Sequence, residues 1–279
     1  MTSQPSEEAE FRDQWAAWHR QHEAKVAEPH GYLAITGLHW LHATAERFAD
    51  APGAWSAGTG GVEVTLAAGE ELTVSGQVIR GRHNFGTLAQ RDAIHARAGD
   101  AVIEITRQGG CDILRPRHPG NPLRARFRGC PAFPPDQRWV VRGRYVPFSS
   151  PRPVTVGAVT EGLRHVYESP GRVEFRLGGA ALAVTAFNGS TPGCLDIIFT
   201  DLTSGVTTYP ANRLLQAGVP GRDGMVTLDF NRAVNLACAY TDFAVCPLPP
   251  PENRLPAWIE AGEKIPYEKA AQGLGAHCG

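Results

Sequence analysis

The residues best suited to chemistry lie in the stretch 226–264, which concentrates polar side chains between two apolar runs. The candidate site residues in this stretch are Asp229, Asn231, Arg232, Glu252 and Asn253. Carboxylate, amide and guanidinium groups at the junction of a strand and a loop are the groups that orient a polar ligand. We therefore predict a ligand site here, in which Asp229 or Glu252 acts as general acid–base if the protein is an enzyme.

The proline run Pro247–Pro251 decides whether the two ends of this stretch can meet. Proline fixes φ and lacks an amide donor, so the run is predicted to form a stiff, extended strap over a sheet. If the strap folds back, Asp229–Arg232 and Glu252–Arg254 line one shared pocket. If it does not, the same polar groups satisfy the backbone of a buried loop, and the stretch is scaffold.

Arginines that alternate with apolar residues form a second candidate site. On a strand, Arg124, Arg126 and Arg128 would share one face. Arg115 and Arg117 lie just upstream. Because a guanidinium fork matches phosphate or carboxylate, Arg124 and Arg126 are predicted contacts for an anion. A solvated or internally ion-paired face is the alternative.

Cys238 and Cys246 are eight residues apart and allow three interpretations. They are two packed thiols, a disulfide or redox pair, or part of a metal site. Two thiolates do not fill a tetrahedral zinc site, and the six cysteines of the chain show neither paired CxxC spacing nor the density of a secreted disulfide scaffold. We therefore name no metal ligands, and a thiol-based redox or metal-binding protein that uses Cys238 and Cys246 is an alternative function.

Common catalytic motifs are missing from the sequence. The chain lacks GxxxxGK[ST], a GxGxxG that opens a helix, HExxH and GxSxG. Several enzyme classes are thereby excluded, while catalysis itself is left open. The cofactor is unknown at this stage, and a flavin is considered only because small split β-barrels often carry one, which is an analogy between folds.

The composition excludes strong attraction to polyanions. Lys and Arg number 27 against 28 Asp and Glu, which gives a net charge of −1 over 279 residues. No global field draws in nucleic acid or an acidic membrane. The beginning of the chain is polar and acidic, and no run of 18 apolar residues occurs. We expect a cytoplasmic protein whose partner is a small molecule, with neither nucleic acid nor membrane as a partner.

An amphipathic helix is predicted over residues 6–27. Phe11, Trp15, Trp18, His22 and Val26 follow one another at steps of three or four, as on one face of a helix. The simplest interpretation is a helix that docks on the rest of the protein. The alternative is a non-catalytic interaction module in which the Trp15 and Trp18 face forms a homodimer.

The remainder of the chain is predicted to be mainly β. Short alternating or apolar runs broken by Gly, Pro, Asn and Asp are typical of half-buried strands. These runs are 62–66, 72–75, 78–79, 102–105, 124–128, 138–146, 172–177, 181–187, 195–199, 206–209 and 225–230. Glycine pairs between them indicate hairpins, so the sheets are predicted to be antiparallel.

These elements predict two packed β subdomains or one large barrel or sandwich. The proline-rich stretch Pro147–Pro153 is the best candidate boundary. We therefore divide the chain into an N-terminal helix (1–30), a first β subdomain (31–147) and a second β subdomain with a C-terminal strap (148–279). Prolines in an edge strand would give the same pattern.

Several runs resemble the DUF1684 family of bacterial proteins. They are Asp229–Ala233, Cys246–Leu255, Ile259–Glu263, Gly37–Leu41 and Tyr209–Leu214. The function of the family is unknown, so the resemblance implies a shared fold and a shared site without naming a reaction. We expect a small-molecule-binding protein or enzyme that acts on a polar or anionic metabolite near Asp229–Arg232 and Glu252–Arg254.

Overall fold

The computed structural model describes residues 7–270, and antiparallel strands dominate it. The helices are α1 (Glu7–Val26), α2 (Pro122–Arg126) and α3 (Tyr267–Ala270). The strands are β1 (His39–Trp40), β2 (Glu46–Phe48), β3 (Ala51–Gly58), β4 (Gly61–Thr65), β5 (Leu72–Val74), β6 (Gln77–Ile79), β7 (Arg82–Gly86), β8 (Ala93–Ala98), β9 (Ala101–Gln108), β10 (Cys111–Arg117), β11 (Val140–Gly157), β12 (Arg164–Leu177), β13 (Ala180–Asn188), β14 (Leu195–Phe199), β15 (Arg213–Ala217) and β16 (Met225–Asp229). The predicted fold class, mainly antiparallel β with an N-terminal helix, is confirmed.

The described chain forms two compact units. The large unit contains residues 7–24, 128–240 and 246–270, and the small unit contains residues 25–127 and 241–245. Each unit therefore draws on segments that are distant in sequence. The stretch Pro147–Pro153, our candidate boundary, lies inside β11 of the large unit.

The small unit contains two antiparallel sheets on one core. One sheet has the strand order β1-β10-β9-β8-β5-β6, and the other has the order β2-β3-β4-β7. Trp55 of β3 and Ile103 and Ile105 of β9 are fully buried in the shared core. Burial of such side chains is the main stabilising contribution to this unit.

The large unit contains one six-stranded sheet in the order β15-β14-β13-β12-β11-β16. The sheet curls so that its edge strands β15 and β16 come into contact. In β12, Val173 and Phe175 point into the core, while Arg172 and Glu174 alternate with them and form an ion pair of 2.6 Å. This period of two is the pattern that the sequence predicts for a half-buried strand.

Glycine accounts for one end of the long β11–β12–β13 ribbon, and proline accounts for an irregularity within it. Gly178 and Gly179, both at positive φ, form the turn from β12 to β13, because glycine reaches the left-handed region without steric cost. The pairing of β11 with β12 shifts register between Pro147 and Arg152. Proline cannot donate to the ladder, so the irregularity lies where the prolines are.

Two predicted strands are wrong. Residues 124–128 do not form a strand, because residues 124–126 belong to α2. Asn121 caps this helix by accepting a hydrogen bond from the Leu123 amide at 3.0 Å. Residues 206–209 form turns, in which Gly205 donates to the carbonyl of Thr208. In the first case Asn and Pro at a helix start outweigh the alternating pattern.

No helix among residues 7–270 is both long enough and apolar enough to cross a membrane.

Candidate functional site

Asp229, a predicted catalytic residue, caps the turn that follows β16. Its Oδ1 accepts hydrogen bonds from the amide of Asn231 at 3.1 Å and from Asn231 Nδ2 at 2.9 Å. Its Oδ2 lies 3.2 Å from Nε of Arg232, and the Arg232 guanidinium lies over the ring of Trp18 at 5.3 Å. These contacts hold the turn Phe230–Arg232 in place.

Asn231 joins this turn to a second loop. It is buried, and its side chain exchanges two hydrogen bonds with the backbone of Asp136: Oδ1 accepts from the amide at 2.9 Å and Nδ2 donates to the carbonyl at 3.0 Å. The indole of Trp15 donates to the carbonyl of Asn231 at 2.8 Å. Asn231 therefore holds α1 and the loop around Asp136 at one point.

The Trp15 and Trp18 face of α1 packs within the large unit. Trp15 stacks on His19 with ring centroids 4.7 Å apart, and Trp18 stacks on His22 at 5.8 Å. Both tryptophans are half-buried. These ring pairs lie within α1, and the helix is docked by the hydrogen bond from Trp15 to Asn231 and by the Arg232 guanidinium over Trp18. Dimerisation through this face stays a prediction.

Glu252 and Asn253 contact a different part of the same unit. Asn253 is fully buried and bridges β13 and β14: Oδ1 accepts from the amide of Thr185 at 2.7 Å, and Nδ2 donates to the carbonyls of Thr185 and Ile198 at 2.9 and 2.8 Å. The exposed Glu252 accepts from the hydroxyl of Thr185 at 2.5 Å. Asn253 thus replaces ladder hydrogen bonds where the two strands diverge.

The two polar sets have separate partners. Asp229–Arg232 contacts α1 and the loop at Asp136, whereas Glu252 and Asn253 contact β13 and β14. The buried side-chain amides of Asn231 and Asn253 form hydrogen bonds with the backbone and hold it in place. Catalysis by Asp229 or Glu252 stays a prediction. A cavity lies beside the first set, one layer beyond Asn231.

A cavity of about 450 Å³ opens between the start of α1 and the loop 133–139. Its volume is in the range of small-molecule sites. It is lined by Glu8, Phe11, Arg12, Phe133, Pro134, Pro135, Asp136, Gln137, Arg138, Trp139 and Glu260. The polar stretch 226–264 contributes Glu260 to the wall and, through Asn231, the hydrogen bonds that hold Asp136.

The walls of the cavity combine aromatic faces with charged groups. Arg138 lies over the ring of Trp139 at 5.2 Å, and its Nε lies 3.1 Å from a carboxylate oxygen of Asp136. Arg12 pairs with Glu8 at 2.6 Å. Because each arginine already has a carboxylate partner, the lining suits a polar ligand better than a strongly anionic one.

The predicted anion contacts Arg124 and Arg126 lie in the small unit, on α2. Arg124 donates to the backbone carbonyls of Pro119 and Ala27, and Arg126 donates to the carbonyl of Pro122 at 3.4 Å. Both guanidinium groups are directed to carbonyls of their own unit. Anion binding by these two residues is untested and stays a prediction.

The arginines upstream of them hold a buried carboxylate. Arg115 donates to Glu104 at 2.9 and 2.6 Å, and Arg117 donates to it at 3.2 Å. Burial alone would raise the pKa of Glu104, but the two arginines outweigh it and lower the pKa to about 2. This group is an internal ion-pair network of the small unit.

Cys238 and Cys246 lie side by side as buried thiols. The amide of Cys238 donates to Sγ of Cys246 at 3.3 Å. The hydrogen bond with Cys246, together with burial, raises the pKa of Cys238. A protonated, buried thiol is a poor nucleophile, so the geometry favours packed thiols, and the redox alternative stays a prediction.

A cluster that sequence reasoning missed lies elsewhere in the large unit. A ring nitrogen of His22, the sulfur of Cys130 and a carboxylate oxygen of Glu263 all lie within 4.8 Å of one another. Burial, followed by the charge of Glu263, raises the pKa of Cys130. In the sequence His22 belongs to an apolar helix stripe and Glu263 to a polar run, and no local spacing links three segments so distant in sequence.

The segment that carries Glu263 is held by two features. Gly262 has a φ of +74°, and a Cβ there would lie 2.5 Å from the carbonyl oxygen of Ala233, so only glycine fits. The buried Arg213 donates to the carbonyl of Ala261 and lies 3.2 Å from Asp201. The run Ile259–Glu263 is therefore a fixed element of the large unit.

Comparison with known proteins adds a family and one solved structure. A family model described as a protein of unknown function, DUF1684, matches residues 125–264. No curated protein matches the chain. The chain is similar to an uncharacterized protein of Haloarcula marismortui solved by solution NMR, with 29% identity, a TM-score of 0.43, and coverage of 50% of this chain and 78% of that one.

Proposed function

The chain belongs to the DUF1684 family, whose description names no activity, and we propose from its geometry that it binds a polar small molecule. The site is the cavity between the start of α1 and the loop 133–139. The observation that carries the proposal is a cavity of about 450 Å³ that combines aromatic walls with charged groups at its edge.

Hydrogen bonds within the protein hold the walls of the cavity. Asn231 fixes the backbone of Asp136, whose carboxylate accepts from the amide of Arg138 at 2.8 Å. The amide of Phe133 donates to the carbonyl of Gly262 at 2.9 Å. A preformed site avoids the entropy cost of ordering its walls on binding. In this proposal Asp229 and Asn231 act from behind the cavity wall.

The lining indicates the chemical class of the ligand. Phe11, Phe133 and Trp139 offer apolar faces for a ring or an aliphatic body. The charged groups of the lining are two guanidinium groups and three carboxylates, contributed by Arg12, Arg138, Glu8, Asp136 and Glu260. We therefore propose a polar molecule with an apolar face and hydrogen-bonding groups that meet the charged edge.

The test is a thermal-shift screen of the purified full chain against a library of polar metabolites. Compounds that raise Tm are then titrated while tryptophan fluorescence is recorded. We expect Trp139→Phe to remove the fluorescence response, whereas Trp258→Phe retains it because Trp258 is 54% exposed and lies outside the lining.

A charge reversal provides the matched pair of variants. Arg138 and Arg142 are similarly exposed, at 66% and 71%, but only Arg138 lines the cavity. Arg138→Glu should change Kd by about 10-fold or more, because it alters an interaction worth about 1.4 kcal/mol, and Arg142→Glu should not. A library without any stabilising compound, or compounds indifferent to both Arg138→Glu and Trp139→Phe, would refute the proposal.

We also propose a cytoplasmic location. Its support is the scattered spacing of the cysteines and the burial of Cys130, Cys238 and Cys246 as free thiols, as is usual in reducing compartments. Fractionation of cells that express the full chain tests it. Recovery outside the cytoplasmic fraction contradicts it.

A further inference from the structure

We propose that His22, Cys130 and Glu263 form a binding site for a divalent metal ion of the zinc type. His22 lies on α1, Cys130 lies in the loop after Gly129, and Glu263 ends the fixed run Ile259–Glu263. All lie in the large unit. This site is separate from the ligand cavity, whose lining includes none of the three residues.

The donor set matches the chemistry of zinc. Imidazole nitrogen, cysteine sulfur and carboxylate oxygen are the protein ligands that Zn²⁺ takes. In a tetrahedral site such donors lie about 3.3 to 3.6 Å apart, given the usual metal–ligand bond lengths. The present donors lie within 4.8 Å of one another, so small movements of the side chains bring them to that spacing.

The cluster contains polar atoms that its protein neighbours leave unsatisfied. Glu263 is 1% exposed, and its Oε2 accepts from the amide of Asn235 at 2.7 Å. Its Oε1 has no hydrogen-bond partner among the described residues, and neither has Nε2 of His22, although the two atoms lie 3.0 Å apart. A buried carboxylate oxygen without a donor is costly, and a cation between these two atoms would satisfy both.

The groups around the donors hold them in place. Glu23 accepts a hydrogen bond from the amide of Cys130 at 2.8 Å, and the Asn235 amide fixes one oxygen of Glu263. The hydroxyl of Tyr240 lies 3.1 Å from Cys130 Sγ and 3.3 Å from Glu263 Oε2. Such outer contacts orient ligands in metal sites. The fourth position of the ion is left to the Tyr240 hydroxyl or to water.

Cobalt binding tests the proposal directly. The purified full chain is stripped with a chelator and titrated with Co²⁺, which reports thiolate ligation through a near-ultraviolet charge-transfer band. We expect one Co²⁺ per chain and such a band, with Zn²⁺ displacing the Co²⁺ and raising Tm. Cys130→Ser should abolish the band, and Cys194→Ser, a half-buried cysteine outside the cluster, should retain it.

Histidine variants separate ligation from folding. His22 is 16% exposed, so His22→Gln is expected to fold, and it should weaken Co²⁺ binding by about 100-fold or more. The control is His42→Gln, which changes an exposed histidine of the small unit and should leave the affinity unchanged. If the chain binds no Co²⁺, or if binding survives both His22→Gln and Cys130→Ser, then His22 and Glu263 form only an ion pair and the proposal is wrong.

Discussion

Asn231 and Asp136 are joined by two hydrogen bonds, one in each direction between the buried amide side chain and the backbone. Asp136 lines the cavity between the start of α1 and the loop 133–139, and Asn231 lies one layer behind it. The polar stretch 226–264 therefore supports the cavity mainly by holding the backbone of Asp136, which lines it.

Replacement of the Asn231 side-chain amide should destabilise the folded protein. Asn231→Leu leaves the amide and carbonyl of Asp136 without partners and should lower the free energy of unfolding by about 2–4 kcal/mol. Asn188→Leu is the control, because Asn188 is exposed, and its effect should stay within about 0.5 kcal/mol. Urea unfolding followed by circular dichroism measures both. Equal effects would mean that the Asn231–Asp136 contact contributes nothing to stability.

Substitutions at the adjacent residues Glu252 and Asn253 should differ in how much they lower the free energy of unfolding. Asn253→Leu removes three hydrogen bonds from this side chain to the backbone of β13 and β14, and it should lower the free energy of unfolding by about 3 kcal/mol or more. Glu252→Gln changes an exposed side chain with one hydrogen bond and should cost less than about 1 kcal/mol. The same unfolding assay applies. A Glu252→Gln protein that folds normally but loses binding of a compound found in the screen would restore Glu252 as a site residue.

Gly262→Ala should be far more destabilising than an alanine at another positive φ. Gly179 has a φ of +87° with open space around a Cβ, so Gly179→Ala should cost about 1–2 kcal/mol for the left-handed backbone alone. Gly262→Ala adds a contact of 2.5 Å with the carbonyl of Ala233. We expect its loss to exceed that of Gly179→Ala by about 2 kcal/mol or more. Similar Tm values for the two variants would contradict the close approach.

Acid should weaken the small unit through Glu104. Its pKa is lowered from an ordinary value of 4.5 to about 2 in the folded protein, so the unfolded state binds the proton more readily. The resulting stabilisation, about 3 kcal/mol, is present above pH 4.5 and is lost as the pH falls towards 2. Urea unfolding of the wild type and of Glu104→Gln between pH 6 and pH 3 measures this difference. The gap between them should narrow with acid, and a constant gap would show that Arg115 and Arg117 do not hold Glu104 ionised.

The buried cysteines should resist labelling. The hydrogen bond with Cys246, together with burial, raises the pKa of Cys238, and burial also blocks access to its sulfur. An alkylating reagent should therefore label Cys238 only after unfolding, whereas the exposed Cys111 reacts at once. Mass spectrometry of peptides from protein labelled with and without urea gives the order. Prompt labelling of Cys238, or a Cys238–Cys246 disulfide in a non-reducing peptide map, would favour the redox alternative instead. Cys278 lies outside the described residues and is left out of the comparison.

The local patterns of the sequence determined α1 and about half of the strands, whereas β2, β3, β7, β8 and β15 match no predicted run. The apolar stripe of residues 6–27 predicts α1, and alternation in 172–177 and 181–187 predicts β12 and β13, because periods of 3.6 and 2 follow directly from backbone geometry. The prediction of a strand from alternating residues failed at 124–128, because Asn121 and Pro122 start a helix there. It failed again at 206–209, where turn hydrogen bonds replace a ladder.

Only the tertiary structure decided what the polar residues do. An amide that orients a ligand and an amide that holds a buried backbone, such as Asn231 or Asn253, look the same in sequence, because both are polar groups beside apolar ones. The contact of His22 with Glu263 is invisible to any local period, since the curled sheet and the fixed Gly262 bring those segments together. Side-chain type is a property of the sequence, whereas the partner of a buried polar atom is set by packing.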